Sequence, residues 1–408
     1  MIPISAEAKD LMKSFAGMDF AKLRLKYASN PDALDAILQL ECRKKASSKL
    51  PKMLANDDFI FPTSLSAEQC TSELLARFHA NLVPDNGVVL DMTCGLGIDA
   101  FHIAGKSKSV LALDINPEIA DVANHNAQVL GINNFKAVCA DSSAYVQTIG
   151  DDSFDTIFVD PARRNNSQKV FFIKDCSPNI ADLMSLMLRV AKKIIVKASP
   201  MLDATAAVRE LSCVKSIYSI GTTTECKELV IVCERGYENV PEMHAVTLAK
   251  DKTMICDFIR QKDTEDITYT NELCEGKYLY EPYPAVMKIG LFDRLAMEYE
   301  VNKLSRDTHL YISDDLNNSF PGRRMRIVYA SPFNKRTIKY INSNFPKANV
   351  TTRGFVMSAP QLAKKLGIMQ GGELFVYGVG LNGVRNYWIA VCEVICCLLY
   401  TSPSPRDS

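Results

Sequence analysis

No stretch of the 408 residues approaches the ~18 consecutive apolar residues that a membrane-spanning helix needs. The segment from Met1 to Phe15 has no basic cluster followed by an apolar core and a small-residue cleavage site, so no secretory signal is read and a cytoplasmic protein is expected. An excess of either charge is missing as well. The 47 Lys and Arg balance 47 Asp and Glu, which argues against a chain basic throughout for nucleic acid or a membrane surface. Thirteen cysteines, an odd number, never form paired C-x-x-C ligands; reduced thiols are expected, and neither a disulfide framework nor a metal site. There is no internal repeat. What is present is a 47% hydrophobic, 23% charged composition, enough for two or three globular cores.

Residues 1–80 carry helical patterns, such as Ala33-Leu34-Ile37-Leu38 and Ser72-Leu74-Leu75-Phe78, interrupted by a turn-like stretch from Asp57 to Ser64. From Val88 short apolar strands alternate with helices: VVLDM, VLALDI, FKAVCA, FDTIFVD, KKIIVKA, VKSIYSIG and ELVIVCER. Such alternation predicts a parallel sheet with crossover helices, its last two strands closing as an antiparallel hairpin across Thr222 to Lys227. Beyond Gly236 the charge changes. Residues 237–316 hold sixteen acids against nine bases, whereas 317–372 hold ten bases and no acid. The basic part reads as a small α+β module, with strands MRIVYA, NVTTRGFVM and GELFVYGVGL and helices KRTIKYINSNF and APQLAKKLGI.

The strongest local signal is Val88 to Asp99, VVLDMTCGLGID: a strand ending in Asp91, a glycine turn at Gly95 and Gly97, then a helix start. Glycines let a backbone turn sharply and approach a ligand with no Cβ in the way. The same pair can serve packing alone. Three further strand ends favour a ligand: Asp114, 17 residues after Gly97, placed for two ribose hydroxyls; Asp141-Ser142, placed for an adenine; and Asp160-Pro161. A single strand-end Asp often only caps the next helix. Four in register surround one small molecule, because open α/β sheets bind ligands beyond the carboxyl ends of their strands. The first turn is neither G-x-G-x-x-G nor G-x-x-x-x-G-K-[ST], so the pattern favours S-adenosylmethionine over nicotinamide or nucleoside triphosphate. Candidate cofactor contacts are Asp91 for the ammonium group, Thr93, Cys94, Gly95 and Gly97 in the turn, Asp114, Ile115, Asp141 and Ser142.

The segments LDMTCGLGIDAF, LALDINP, CADS and FDTIFVDPARR resemble the successive motifs of class I S-adenosylmethionine-dependent methyltransferases. With FPTSLSAEQCTSE upstream and FPGRRMRIVYASPF downstream, the chain resembles bacterial methyltransferases that carry a THUMP-like C-terminal domain. The first motif also resembles that of ribosomal-RNA guanine-N2 methyltransferases. The resemblance implies an α/β fold: a Rossmann-like seven-stranded sheet, an N-terminal helical region and a small C-terminal α+β THUMP-like domain. It further implies that the basic module holds RNA, because THUMP modules present RNA to attached enzymes.

Asp160-Pro161-Ala162-Arg163-Arg164 stands where nucleic-acid amino-methyltransferases carry an acid or amide, two prolines and an aromatic. There the first side chain and the following carbonyl accept hydrogen bonds from an exocyclic amine and aim its lone pair. Here Ala162 and Arg163 replace the second proline and the aromatic; Phe171 or Phe172 are stacking candidates, or core. Asp160, Pro161 and Arg163 are therefore the candidate catalytic residues. Arg164 is a candidate phosphate or base contact, the alternative being a solvated loop. A pyrimidine C5 mechanism needs a Cys nucleophile, and the fourth-strand motif and fifth-strand loop KASPMLD contain none. In the basic module Arg323, Arg324, Arg326, Lys335 and Arg336 are the candidate RNA contacts, while its aromatics are read as core. The acidic 237–316 stretch is a competing partner for these bases.

The expected organisation is a helical region 1–80, a methyltransferase domain 81–236, a connecting ferredoxin-like α+β segment 237–316 and a basic THUMP-like domain 317–395. Residues 397–408, CLLYTSPSPRDS, resemble translated adapter sequence and are read as a non-native tail. The expected reaction is methylation of an exocyclic base amine, guanine N2 first, in tRNA or rRNA. Alternatives are a small-molecule or protein methyltransferase and a non-catalytic factor that binds cofactor and RNA.

Overall fold

The structure, a computed structural model, describes residues 4–163, 173, 176–249, 254–260, 267, 269–290, 292–383 and 385–395. Arg164, Phe171, Phe172 and the tail 397–408 lie outside the described residues, as does the side chain of Arg163. The chain divides into two units, Met1–Tyr218 with Glu228–Pro241, and Ser219–Lys227 with Glu242–Ser408. Among the described residues no helix is long and apolar enough to cross a membrane.

The first unit opens with helices α1 (Ala6–Phe15), α2 (Phe20–Lys26), α3 (Pro31–Ala46), α4 (Ser64–Gln69) and α5 (Glu73–Leu82). Their starts are written locally. Asn30 accepts from the Ala33 amide with Pro31 in the first turn of α3, and the Thr63 and Ser72 hydroxyls cap α4 and α5. Then follow β1 (Val88–Asp91), α6 (Ile98–Ala104), β2 (Ser109–Asp114), α7 (Pro117–Val129), β3 (Phe135–Cys139), α8 (Ser142–Thr148) and β4 (Phe154–Val159). The short pair β5 (Ala162–Arg163) and β6 (Cys176–Ser177) precedes α9 (Ile180–Val190), β7 (Ala191–Ala198), α10 (Ala204–Glu210), β8 (Val214–Gly221) and β9 (Cys226–Glu234).

The strands stand in the order β8-β9-β7-β4-β1-β2-β3. The pairings from β3 through β7 are parallel and β9 runs antiparallel to β7. These seven strands stand in the expected arrangement, closed by an antiparallel hairpin. Leu90, Ile157, Val159, Ile194, Ile195 and Val196 are wholly buried, as expected where helices cover both faces of a parallel sheet. The N-terminal helices do not stand apart. Cys42, Leu50, Phe59, Phe61 and Ala76 share one core with Leu96, Ile98, Phe101 and Val122.

The second unit contains the antiparallel pair β10 (Glu242–Leu248) and β11 (Met254–Arg260), then β12 (Tyr278–Pro282), α11 (Pro284–Ile289), α12 (Phe292–Glu298), β13 (Asn302–Lys303) and β14 (Tyr311–Ser313). It ends with β15 (Gly322–Pro332), α13 (Lys335–Asn344), β16 (Lys347–Arg353), α14 (Ala359–Leu366), β17 (Met369–Gly380) and β18 (Tyr387–Val394). One sheet, β13-β14-β12-β15-β18-β17-β16, spans the expected boundary at 316: β12 on its acidic side pairs with β15 on its basic side. The change of charge near residue 316 thus falls within a stretch whose flanking strands share one sheet.

Candidate cofactor cavity and reaction centre

Beyond the carboxyl ends of β1, β2 and β4 lies a cavity of about 690 Å³. Its wall includes Thr93, Cys94, Gly95 and Gly97 from the turn after β1, Asp114 and Ile115 after β2, Asp141 and Ser142 after β3, and Asp160 after β4. Gly95 adopts φ +52° and Gly97 φ +84°. Their roles differ: a Cβ on Gly97 would lie 2.6 Å from the Phe101 ring, whereas one on Gly95 would meet no atom within 4 Å. Gly97 lets the helix pack; Gly95 keeps the floor of the cavity bare. The Asp114 carboxylate is fixed by the Gly95 amide (3.0 Å) and the Asn116 amide (2.9 Å), with lone pairs left over toward the cavity. Beside it Ile115, 75% exposed, offers an apolar platform for a flat ring. Asp141 caps α8 through the Ser143 and Ala144 amides while also lining the cavity. A bare glycine floor, a fixed carboxylate and an apolar platform fit an adenosyl group joined to an amino acid.

Asp91 departs from its expected place. It is 1% exposed, accepts from the Thr93 amide at 2.9 Å and lies beneath the wall instead of on it. As the last residue of β1 its carboxyl turns into the loop it organises, and burial raises its pKa to about 7. Asp99, at the start of α6, lines the cavity as the fourth acid.

Asp160 follows β4. Its amide donates to the Thr93 hydroxyl at 2.7 Å, tying the segment after β4 to the glycine turn. Its side chain is 41% exposed and Oδ2 accepts from Lys197 Nζ at 2.6 Å. Pro161 leads into β5, where the Arg163 backbone pairs with Cys176.

Three parts of the site have no counterpart among the residues expected from the sequence. Thr63, Leu65, Ser66, Gln69, Cys70 and Thr71, around α4, form one wall of the cavity. Lys197 stands near the end of β7, beside Asp160, because Val159 and Val196 are in register. Behind it runs a buried polar chain. Lys197 donates to the Thr71 hydroxyl (2.8 Å), Thr71 donates to Asp99 (2.5 Å), and His79 bridges Asp99 (2.7 Å) and Glu228 (2.5 Å) through its two ring nitrogens. Both partners of His79 are carboxylates, which accept only, so both ring nitrogens donate and His79 is an imidazolium. Burial alone would lower its pKa, but Glu228 and Asp99 raise it to about 9. Burial would likewise raise Asp99, but Lys197 and His79 hold it well below the usual carboxylate range. One signal for Lys197 was readable: a cation directly after the apolar run Ile194-Ile195-Val196, near the carboxyl end of β7 where the aspartates end their strands. Nothing local marks His79.

In the second unit Lys335 and Arg336 are exposed in the first turn of α13, which contains no acid, and Arg326 is exposed on β15. Arg323 is not available in the same way. It pairs with Glu281 at 3.0 Å and lies over the Phe375 ring, and Glu281 also binds Arg353. Arg324 donates to the Asn318 carbonyl. Part of the basic surface is thus neutralised by the preceding acidic segment, as the competing expectation had it. Phe333, Phe345 and Phe355 are partly buried against the core, consistent with packing.

Residues 84–239 match a family described as methyltransferase domain, residues 278–321 a ferredoxin-like domain and residues 322–394 a THUMP domain-like family. An uncharacterized S-adenosylmethionine-dependent methyltransferase of Mycobacterium tuberculosis is 21% identical over 86% of this chain and 94% of the relative. A 23S rRNA uracil-C5-methyltransferase of Vibrio vulnificus is 37% identical, over 19% of this chain and 20% of its own. The crystal structure of a protein from Porphyromonas gingivalis W83 designated a methyltransferase superposes with a TM-score of 0.84 at 26% identity, covering 95% of this chain and 97% of that one.

If Asp114 holds the ribose, Asp114→Ala weakens cofactor binding by about 1.5–3 kcal/mol, the worth of a charged hydrogen bond; unchanged calorimetric affinity for S-adenosylhomocysteine would remove that assignment. The sheet order, the cavity beyond its strand ends and these matches converge: the chain is a class I S-adenosylmethionine-dependent methyltransferase with a THUMP-like C-terminal domain.

Proposed function

We propose that this enzyme methylates an exocyclic base amine in structured RNA, tRNA or rRNA, with guanine N2 as the first substrate to test. The observation that carries the reading is Asp160, half exposed in the cavity and anchored through its amide to Thr93. Bound S-adenosylmethionine supplies an electrophilic methyl group on a sulfonium. Asp160 Oδ1 and the following carbonyl accept from the amine, aim its lone pair and hold it for in-line attack, where orientation does most of the work. In this reading Asp160 accepts the proton that the methylated amine loses, as S-adenosylhomocysteine leaves. Arg163, three residues further along the chain, is the further candidate catalytic residue.

The short match to a uracil-C5 enzyme supports RNA as the substrate class more than it supports C5 chemistry. That chemistry needs a thiolate. Among the described residues the cysteines on the cavity wall are Cys70 and Cys94, and burial raises the pKa of both thiols. An uncharacterized RNA methyltransferase of Mycoplasma mobile, 34% identical over 21% of this chain, supports RNA equally.

The exposed Lys335, Arg336 and Arg326 are the phosphate contacts of this reading; Arg323 and Arg324 serve the fold of the module. Lys335→Glu with Arg336→Glu is expected to weaken binding of bulk tRNA or rRNA and to reduce the salt slope of log K by about 2, roughly one per lost phosphate contact. Filter binding across a KCl series checks it; an unchanged slope points to a small-molecule or protein substrate. Nucleoside mass spectrometry of RNA from a deletion strain and its parent identifies the base, and an unmodified difference spectrum rejects RNA altogether.

A further inference from the structure

Asp160 shares its pocket with a cation that the amine reading does not require. Lys197 has a 12% exposed side chain, 2.6 Å from Asp160 Oδ2, 2.8 Å from the Thr71 hydroxyl and 3.8 Å from Asp99 Oδ2. An ammonium has three donors and no acceptor. Asp160 and Thr71 take up two of them and the Asp99 carboxylate attracts the charge from a third side, which fixes its direction. Among the described residues Asp160 Oδ1 accepts no hydrogen bond, so the ammonium occupies one carboxylate oxygen and leaves the other facing the cavity.

The pair is embedded in a row of alternating charge: Asp160, Lys197, Asp99, His79, Glu228. Three carboxylates stand against two cations. Removing Lys197 would leave Asp160 facing Asp99 from α6, Glu228 from β9 and Asp91 from β1 with no other adjacent cation among the described residues. Like charges in a partly buried site drive a carboxyl toward its neutral form, and a neutral carboxyl has a proton where the amine hydrogen must go.

We infer that Lys197 is a positioning residue for the transfer step: held from behind by Thr71 and Asp99, it keeps Asp160 ionised and turns Oδ1 toward the substrate amine. The role rests on the amine reading of Asp160. Lys197 is not the base. Burial works against its charge, but Asp160, Asp99 and Glu228 outweigh burial and hold it protonated well beyond neutrality.

The test uses the full-length enzyme with Lys197→Met, Lys197→Arg and Asp160→Ala, assayed with radiolabelled cofactor and RNA from a strain lacking the enzyme. Lys197→Met is expected to lower kcat by about 30–100-fold, the scale of a misplaced reacting group, and to move the acid limb of the kcat profile to higher pH. Lys197→Arg is expected to keep that limb and most of kcat. Binding supplies a second readout. At a pH above both acid limbs, where Asp160 is ionised in both proteins, the cationic analogue sinefungin is expected to bind Lys197→Met about fivefold or more tighter relative to neutral S-adenosylhomocysteine, since a nearby cation has gone. If Lys197→Met does not fold, Thr71→Val removes one of the ammonium's supports and is expected to shift the acid limb in the same direction by less. An acid limb and analogue preference identical to wild type, in an enzyme that Asp160→Ala silences, overturn the positioning role alone. An Asp160→Ala enzyme that still transfers methyl to RNA overturns the amine reading and this role with it.

Discussion

Asp160→Ala is expected to reduce methyl transfer by about 10²–10³-fold, the cost of deleting one preorganised polar group at a reaction centre, while cofactor and RNA affinity stay near wild type. Binding survives because the contacts are divided. The cavity wall proposed to face an adenosyl group is built from Gly95, Asp114, Ile115 and Asp141, none of which touches Asp160 through a hydrogen bond among the described residues. The substitution also frees Lys197, which keeps Thr71 and Asp99 as partners, so the unit should fold. Single-turnover transfer alongside calorimetry with S-adenosylhomocysteine checks both halves. Transfer within threefold of wild type would mean that the acceptor is positioned elsewhere, and a protein with no transfer to lose would be a binding factor.

His79→Leu is the substitution expected to cost most in stability. It leaves Asp99 and Glu228, both nearly wholly buried, without the imidazolium between them, and breaking a buried ion pair from one side costs about 3–5 kcal/mol. For a domain of this size that is a fall in Tm of roughly 10 °C. The wild type should show the same linkage as a function of pH. Folding raises the His79 pKa from its ordinary value of 6.5 to about 9, so the folded protein holds a proton that the unfolded chain gives up between those values. The contribution is complete below pH 6.5 and disappears as pH rises through 9, a loss of about 3 kcal/mol. Urea midpoints at pH 6 and pH 9.5 measure it. His79→Leu should lack this slope and so approach wild type at alkaline pH; a constant gap between the two would show that His79 stays neutral.

How much of this was legible in the residues depends on the range of the interaction. The seven strands, the glycine turn and Asp114, Asp141 and Asp160 at strand ends were readable, because parallel topology places every strand's carboxyl end on one edge and ligands bind there. Asp91 was placed by the same rule and lies deeper, since the rule says where a strand ends but not which way its last side chain turns. The basic run of 317–372 was visible as a composition, yet which bases remain unpaired depended on Glu281, one strand away in the sheet and outside the run.

The sequence by itself determined the class of fold, the strand-end acids and a positively charged module, since each follows from periodicity, turn chemistry or charge along neighbouring residues. Only the tertiary structure decided that the α4 segment walls the cavity and that Lys197, Thr71, Asp99, His79 and Glu228 form one chain behind Asp160. Those five residues come from five places in the chain, and what unites them is charge taken out of water. A buried carboxylate must find a cation or hydrogen-bond donor, and the packed fold alone determines which one lies within reach.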